Sequence, residues 1–396
     1  MHTALRLGIR AAERIRALNP RAHLCFHGVY AQLQASLLLG GVADSVASGE
    51  AEEALVGLAR ALDGGATPDD LPGISRPGRI VGPVLAKLDF PPPAETGLPP
   101  PERYARLALG DGEERLAGYL EASRGCRHRC GHCPITPVYQ GRFFVVPAAQ
   151  LLASAEAQIA RGVRHLTFGD PDFWNGPGHA EAIVRELHRR HPGVTYDATI
   201  KVEHLLRERA RLPVLAETGC AFITSAFESL SDRVLAALDK GHTARDAAEA
   251  VRLLDDHGLP LRPTFVAFTP WTTAEDFLAM LRFLRDHDLG GQLDRIQFAL
   301  RLLVPLGSAL LARPIPGLGP LRADGLTYDW VHPDPRMDEL QGRLSAWAAA
   351  TRDDPGEALP EVERLAETAL GLTRPRAASP PRRRPRAPAL TESWFC

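Results

Sequence analysis

The chain has 396 residues, 45% of them hydrophobic, and its acidic and basic side chains nearly cancel to a formal net charge of -2. That composition can fill the core of one large domain plus a smaller one, and it excludes a global field that would draw the chain to nucleic acid or a membrane surface. No apolar run approaches the ~18 residues of a membrane span, and the opening MHTALRLGIRAAERIRAL is an amphipathic helix without a cleavage site, so a cytoplasmic protein is expected.

In chain order, residues 3–62 alternate helix and strand: a helix to about Leu18, a strand AHLCFH, a helix AQLQASLLL, a strand VADSVA and a helix EAEEALVGLARAL. Two short apolar strands separated by helices predict a small parallel sheet, a truncated Rossmann-like domain over residues 1–62 that leans on its neighbour. Prolines dominate from Asp63 to Arg103, which predicts an extended linker over 63–115. Strands are then expected at AGYLEAS, VRHLTFGD, VTYDATIKV, AFITSAFES, LRPTFVAF and LDRIQFALRLLV, each followed by a helix or loop. Six such units over 116–312 predict an α/β fold, a partial (β/α)6 TIM-like barrel whose chemistry collects where the strands end. A helical extension over 313–373 follows, with helices at Asp338 to Thr351 and Leu359 to Leu370, and then an Arg/Pro-rich tail over 374–396 that reads as disordered.

Lysine occurs only at Lys87, Lys201 and Lys240. Arginine supplies the remainder of the 46 basic residues, a GC-rich coding bias that discounts the RRRPR run as a nucleic-acid signal. Cysteine use, with Cys25, Cys220 and Cys396 scattered and Cys126, Cys130 and Cys133 clustered, is not a secreted disulfide framework, so the clustered thiols are expected to be reduced and open to a metal.

Those three lie in EASRGCRHRCGHCPITP, directly after the first barrel strand, with the spacing C-x3-C-x2-C. Soft thiolates on one compact loop select an iron-sulfur cluster, zinc or copper(I). Three ligands on a four-iron cubane leave one iron for a non-protein ligand, while His128 or His132 could instead close a Cys3His zinc site of a non-catalytic module, with the arginine tail on phosphate. In its barrel context GCRHRCGHC resembles the cluster motif of the radical S-adenosylmethionine (SAM) superfamily over roughly residues 116–312.

The resemblance implies that Cys126, Cys130 and Cys133 hold a [4Fe-4S] cluster whose open iron chelates SAM, and that an electron donor such as flavodoxin or ferredoxin drives reductive SAM cleavage against a small-molecule substrate. It implies that Gly169, Asp170 and Asp172 of FGDPDFWNG meet the SAM amine, and that Glu228 and Ser229 of TSAFESLSDRVLAALDKGHT meet its ribose or carboxylate. Lys201 reads equally as a carboxylate ligand and as a surface lysine, and Arg301 as a substrate anchor or an exposed charge. HGVYAQLQASLLLGGVADSVASGEAEEALVGLARAL resembles the second half of a cobalamin-binding domain, with Gly49, Glu50 and Glu52 in its acidic segment. The D-x-H-x-x-G motif that would supply a cobalt-ligating histidine is absent, which argues against base-off cobalamin. The ending PALTESWFC resembles the radical SAM family with a CUAEP or CCAEP tail, so Cys396 is expected to precede a selenocysteine or cysteine; such a thiol or selenol pair would accept a transferred group or bind a metalloid.

Overall fold

The computed structural model of the chain describes residues 2–65, 70–91, 94, 97–110, 112–351, 357–371 and 384–392. After the helix His2–Leu18, strands β1 (Cys25–His27) and β2 (Ser45–Ala47) pair in parallel, and β3 (Ile74–Ser75) adds to β2 antiparallel. The helix expected over AQLQASLLL breaks in two, Val29–Leu33 and Ala35–Leu39, at Gln34. Gln34 is fully buried and donates through Nε2 to the Leu326 carbonyl at 3.0 Å, which fastens this small sheet to the C-terminal part of the chain.

β4 (Arg106–Ala108) and β5 (Glu114–Leu120) form an antiparallel pair, and β5 opens the main sheet. A hairpin of β6 (Ser123–Gly125) and β7 (Phe143–Val145) follows, then β8 (His165–Phe168), β9 (Thr195–Thr199), β10 (Cys220–Glu228) and β11 (Leu261–Phe265). β5, β8, β9, β10 and β11 are parallel neighbours in that order, the half-barrel that the β/α alternation predicts. Its interior is apolar and continuous, with Phe168 tilted against Phe173 at 4.5 Å and meeting Tyr196 edge-on at 5.6 Å. Two outer helices, Ala244–Asp256 and Ala274–Asp286, start on full capping boxes, Thr243 with Asp246 and Thr273 with Asp276, so their N-termini are written in the sequence.

The sixth strand does not form as expected. LDRIQFALRLLV yields a 3-10 turn at Arg295–Phe298 and a single parallel bridge between Phe268 and Arg301. The side-chain oxygen of Gln297 takes the Phe265 N–H at 2.9 Å, a donor that a sixth strand would otherwise have satisfied. The chain then enters a separate antiparallel sheet of β12 (Val304–Pro305), β13 (Leu318–Leu321) and β14 (Thr327–Trp330), so the extension is not purely helical; helices Pro335–Ala350 and Leu359–Leu370 follow. The proline-rich stretch likewise contributes β3 and β4 rather than serving only as a linker. Part of the tail is ordered: β15 (Ala389–Leu390) pairs antiparallel with β4 at the far edge of the main sheet. The remainder expected to be disordered, 374–383, lies outside the described residues, as does Cys396.

Candidate active site

The cysteine loop leaves β6 at Gly125 and returns on β7, so the hairpin closes it at its base. Gly125 has φ +77°, and a Cβ there would lie 2.5 Å from the Tyr139 ring and 2.6 Å from the Arg142 carbonyl, which explains glycine before the first cysteine. Inside the loop, Cys126 N–H donates to Arg142 O at 3.1 Å, Cys133 N–H to Cys130 O at 3.1 Å, and the Thr136 hydroxyl to Cys130 O at 2.9 Å. Gly131 N–H donates to Leu238 O at 2.9 Å and pins the loop over the C-terminal end of the helix Asp232–Ala237 that follows β10. The five described cysteines are free thiols, and burial pushes Cys126 up to about 12 and Cys133 up to about 11. Thiols held this way stay protonated until a cation displaces the proton.

The loop faces the C-terminal ends of β8, β9 and β10, as a barrel site requires. Behind Cys130 and Cys133, Glu228 accepts from Lys240 Nζ at 3.1 Å and stands 3.2 Å from His132 Nε2. Burial raises the Glu228 carboxyl, but Lys240 and His132 more than offset it and hold the group well below the carboxylate range. Burial likewise lowers Lys240, and the charge of Glu228 beside it brings it back above its ordinary value. Glu228 also sits at φ +61° on a bulge of β10, a left-handed conformation that a non-glycine residue adopts only where its surroundings enforce it.

Beyond the loop's other side, Lys201 is 8% exposed, so it is not a surface lysine; its Nζ lies 3.1 Å from His128 Nδ1 and 3.3 Å from Glu203 Oε2. His128 Nε2 is 3.2 Å from His204 Nε2, and His204 Nδ1 is 2.7 Å from Asp172 Oδ2. Burial and then the Lys201 charge lower His128 to about 4, and burial with Lys240 does the same for His242, so both imidazoles are neutral at physiological pH.

Other residues singled out in the sequence are engaged elsewhere. Asp170 is fully buried and takes the Ala122 N–H at 2.8 Å and the Ser123 hydroxyl at 2.6 Å, tying the end of β8 to the approach of the cysteine loop rather than offering itself to a ligand. Gly169 is where the Tyr119 ring crosses the backbone, since a Cβ would lie 2.0 Å from the Tyr119 oxygen. Ser229 accepts the Ser231 N–H at 3.1 Å and shapes a turn. Arg301 lies 3.5 Å above the Trp330 ring and pairs with Asp338 at 2.5 Å. His204, Lys240 and His242 complete the site and went unassigned in the sequence; Lys240 carried a signal, because two of the chain's three lysines are buried here.

Among the described residues, His128, Asp172 and His204 bring one ligand atom each within 4.8 Å of one another. Three thiols on one hairpin-closed loop are a soft donor set whose chemistry suits an iron-sulfur cluster.

The fold is a parallel half-barrel with a three-cysteine loop after its first strand. Residues 120–284 match the model of the radical SAM superfamily. It is 28% identical over 225 residues to a ribosomal protein uS12 methylthiotransferase RimO of Aromatoleum aromaticum, covering 50% of this chain and 47% of that protein. A second RimO, from Methylococcus capsulatus, is 27% identical over 60% of this chain and 55% of its own length. The chain thus spans about half the length of these curated relatives. In fold it is similar to the cobalamin-dependent SAM radical enzyme OxsB with aqua-cobalamin bound, at TM-score 0.69 and 16% identity over 88% of this chain and 57% of that one. It is also similar to the radical SAM methyltransferase TsrM of Kitasatospora setae, at TM-score 0.55 and 20% identity over 68% and 54%. Among the described residues, no helix is long and apolar enough to cross a membrane.

Proposed function

We propose that the chain is a radical SAM enzyme in which Cys126, Cys130 and Cys133 hold a [4Fe-4S] cluster, SAM is the cosubstrate, and a small molecule is the target. When bound, such a cluster supplies one electron to SAM, and breaking a C–S bond then furnishes a carbon-centred radical. The observation that carries the reading is the hairpin-closed cysteine loop facing the strand ends of a half-barrel within residues 120–284. The chain's own residues supply the charges around it. Lys201 presents a buried ammonium suited to the SAM carboxylate, and the Glu228–Lys240 pair presents a carboxylate fixed beside the thiols for a ribose hydroxyl or the amine. Asp170 and Gly169 set the shape of the strand ends, and the aromatic core beneath excludes water.

The N-terminal segment serves in this reading as a brace. Glu50, fully buried, accepts from the Tyr139 hydroxyl at 2.9 Å and from Arg124 at 3.4 Å, so it grips both the interior and the base of the cysteine loop. Because that segment lacks D-x-H-x-x-G, the protein is expected to purify without stoichiometric cobalamin even from supplemented cells; one cobalamin per chain would overturn this part. Free thiols and the lack of a spanning helix among the described residues support action in the reducing cytoplasm, with flavodoxin or ferredoxin as electron source.

Anaerobic purification tests the whole. Brown protein with about four irons per chain and broad absorption near 400 nm is expected, and dithionite with SAM should release 5'-deoxyadenosine or 5'-methylthioadenosine, whichever C–S bond breaks. Colourless protein with one zinc on the cysteines would overturn the reading in favour of a structural metal module.

A further inference from the structure

The side chains beside the cysteine loop include two buried polar atoms with no hydrogen bond. Asp172 is 1% exposed and His204 is fully buried, and Asp172 Oδ2 and His204 Nδ1 face each other at 2.7 Å without closing a hydrogen bond. Leaving two such groups unsatisfied is costly in a buried site, so something that satisfies both is expected there. His128 Nε2 completes the group, 3.6 Å from Asp172 Oδ2 and 3.2 Å from His204 Nε2.

We propose that His128, Asp172 and His204 form a second metal site, separate from the three cysteines, which holds a divalent first-row transition ion and leaves positions open for substrate. Two imidazoles and one carboxylate are borderline and hard donors, suited to zinc, iron(II) or manganese and unlike the soft thiolate set next door. The three ligands come from three places that converge at the strand ends: the cysteine loop, the turn after β8 and the helix Val202–Arg207 after β9.

The surroundings are those of a ligand set. The second oxygen of Asp172, Oδ1, accepts the Trp174 N–H at 3.2 Å, which fixes the carboxylate with Oδ2 turned toward the two imidazoles. Glu203 Oε2 lies 3.5 Å from His128 Nδ1, within reach of a carboxylate partner for that ring nitrogen once Lys201, now the nearer group at 3.1 Å, turns away. Lys201 Nζ lies between these groups, 3.1 Å from His128 Nδ1 and 3.3 Å from Glu203. With an ion on Nε2 the His128 proton moves to Nδ1, and Lys201 gives its hydrogen bond wholly to Glu203.

Zinc distinguishes the two. The full chain, loaded with iron and desalted after one equivalent of Zn2+, should retain about one zinc, with a zinc-edge absorption shell of nitrogen and oxygen only at about 2.0–2.1 Å. Asp172→Asn and His204→Ala should each weaken zinc binding at least tenfold while the iron content stays as in the parent, and the triple variant Cys126→Ala/Cys130→Ala/Cys133→Ala should still retain the zinc. A sulfur shell near 2.3 Å in the iron-loaded parent, no retained zinc, or unchanged affinity in both ligand variants would overturn the proposal. Because iron is counted separately, these results stand whether or not the cysteines carry a four-iron cluster.

Discussion

At the scale of single residues, the site is built from charges that the fold keeps out of water. Glu228 and Lys240 are a buried pair, and removing one partner leaves the other uncompensated. Glu228→Gln is therefore expected to destabilise the chain by about 3–5 kcal/mol, and adding Lys240→Met should recover part of that loss; denaturant midpoints of the single and double variants check both. Asp170 differs because it is raised, not lowered: burial pushes its carboxyl up to about 7 despite the Ser123 hydroxyl and the Ala122 and Ser123 backbone donors. A carboxyl whose folded pKa lies above its unfolded value binds more protons folded than unfolded. Its stabilising contribution is complete below the unfolded value of 3.8 and is lost as pH rises to about 7. Asp170→Asn, whose amide can still accept from Ala122 and donate to Ser123, should remove that slope while folding normally, and melts taken from pH 5 to 8 will show whether the wild-type decline has flattened.

At the scale of elements, the cysteine loop is positioned by its hairpin and by one glycine. Gly125→Ala forces a Cβ against the Tyr139 ring and the Arg142 carbonyl at a positive φ, so the loop must open at its base. Iron bound per chain is expected to fall by more than half while the barrel, read by circular dichroism, persists. Much of this scale was legible from sequence. The β/α alternation places five of the six expected barrel strands and their outer helices, and C-x3-C-x2-C marks the loop after the first of them. What stayed hidden depends on contacts distant in the chain. The sixth strand has the apolar pattern of a strand, but the Gln297 side chain takes the N–H it would have paired with, which no periodicity reports. Asp170 and Asp172 look alike in GDPDFW, yet one is consumed by Ala122 and Ser123 from the preceding strand and the other faces His204 from the following helix. Lys201 could not be told from a surface lysine until β9 was seen to end beneath the cysteine loop.

At the scale of the whole molecule, the main sheet is finished by a segment from the opposite end of the sequence. Arg106 and Thr391 exchange hydrogen bonds at 2.8 and 2.9 Å, and Ala387 and Leu390 pack with Leu107 and Phe222 on the sheet's outer margin. Ala387 N–H donates to Gln292 Oε1 at 2.7 Å, Gln292 Nε2 donates to Pro385 O at 3.1 Å, and Arg384 pairs with Asp255 and donates to the His287 carbonyl at 2.5 Å. These contacts bind the tail to the outer helices as well as to the strand, so it is a clasp across the barrel's back rather than a loose end. A chain ending at residue 383 leaves β4 as a bare edge, with the Arg106 N–H and carbonyl unpaired and Leu107 uncovered. Losing two ladder residues, a buried apolar contact and a partly buried ion pair should cost about 2–4 kcal/mol, which lowers the melting temperature by several degrees and promotes concentration-dependent association through the exposed edge, as light scattering would show. Arg384→Ala keeps the strand and should cost about 1–2 kcal/mol with no association, because the edge stays covered. If the shortened chain melts and scatters like the full one, the clasp adds nothing to the barrel and the pairing of β15 with β4 is incidental to stability.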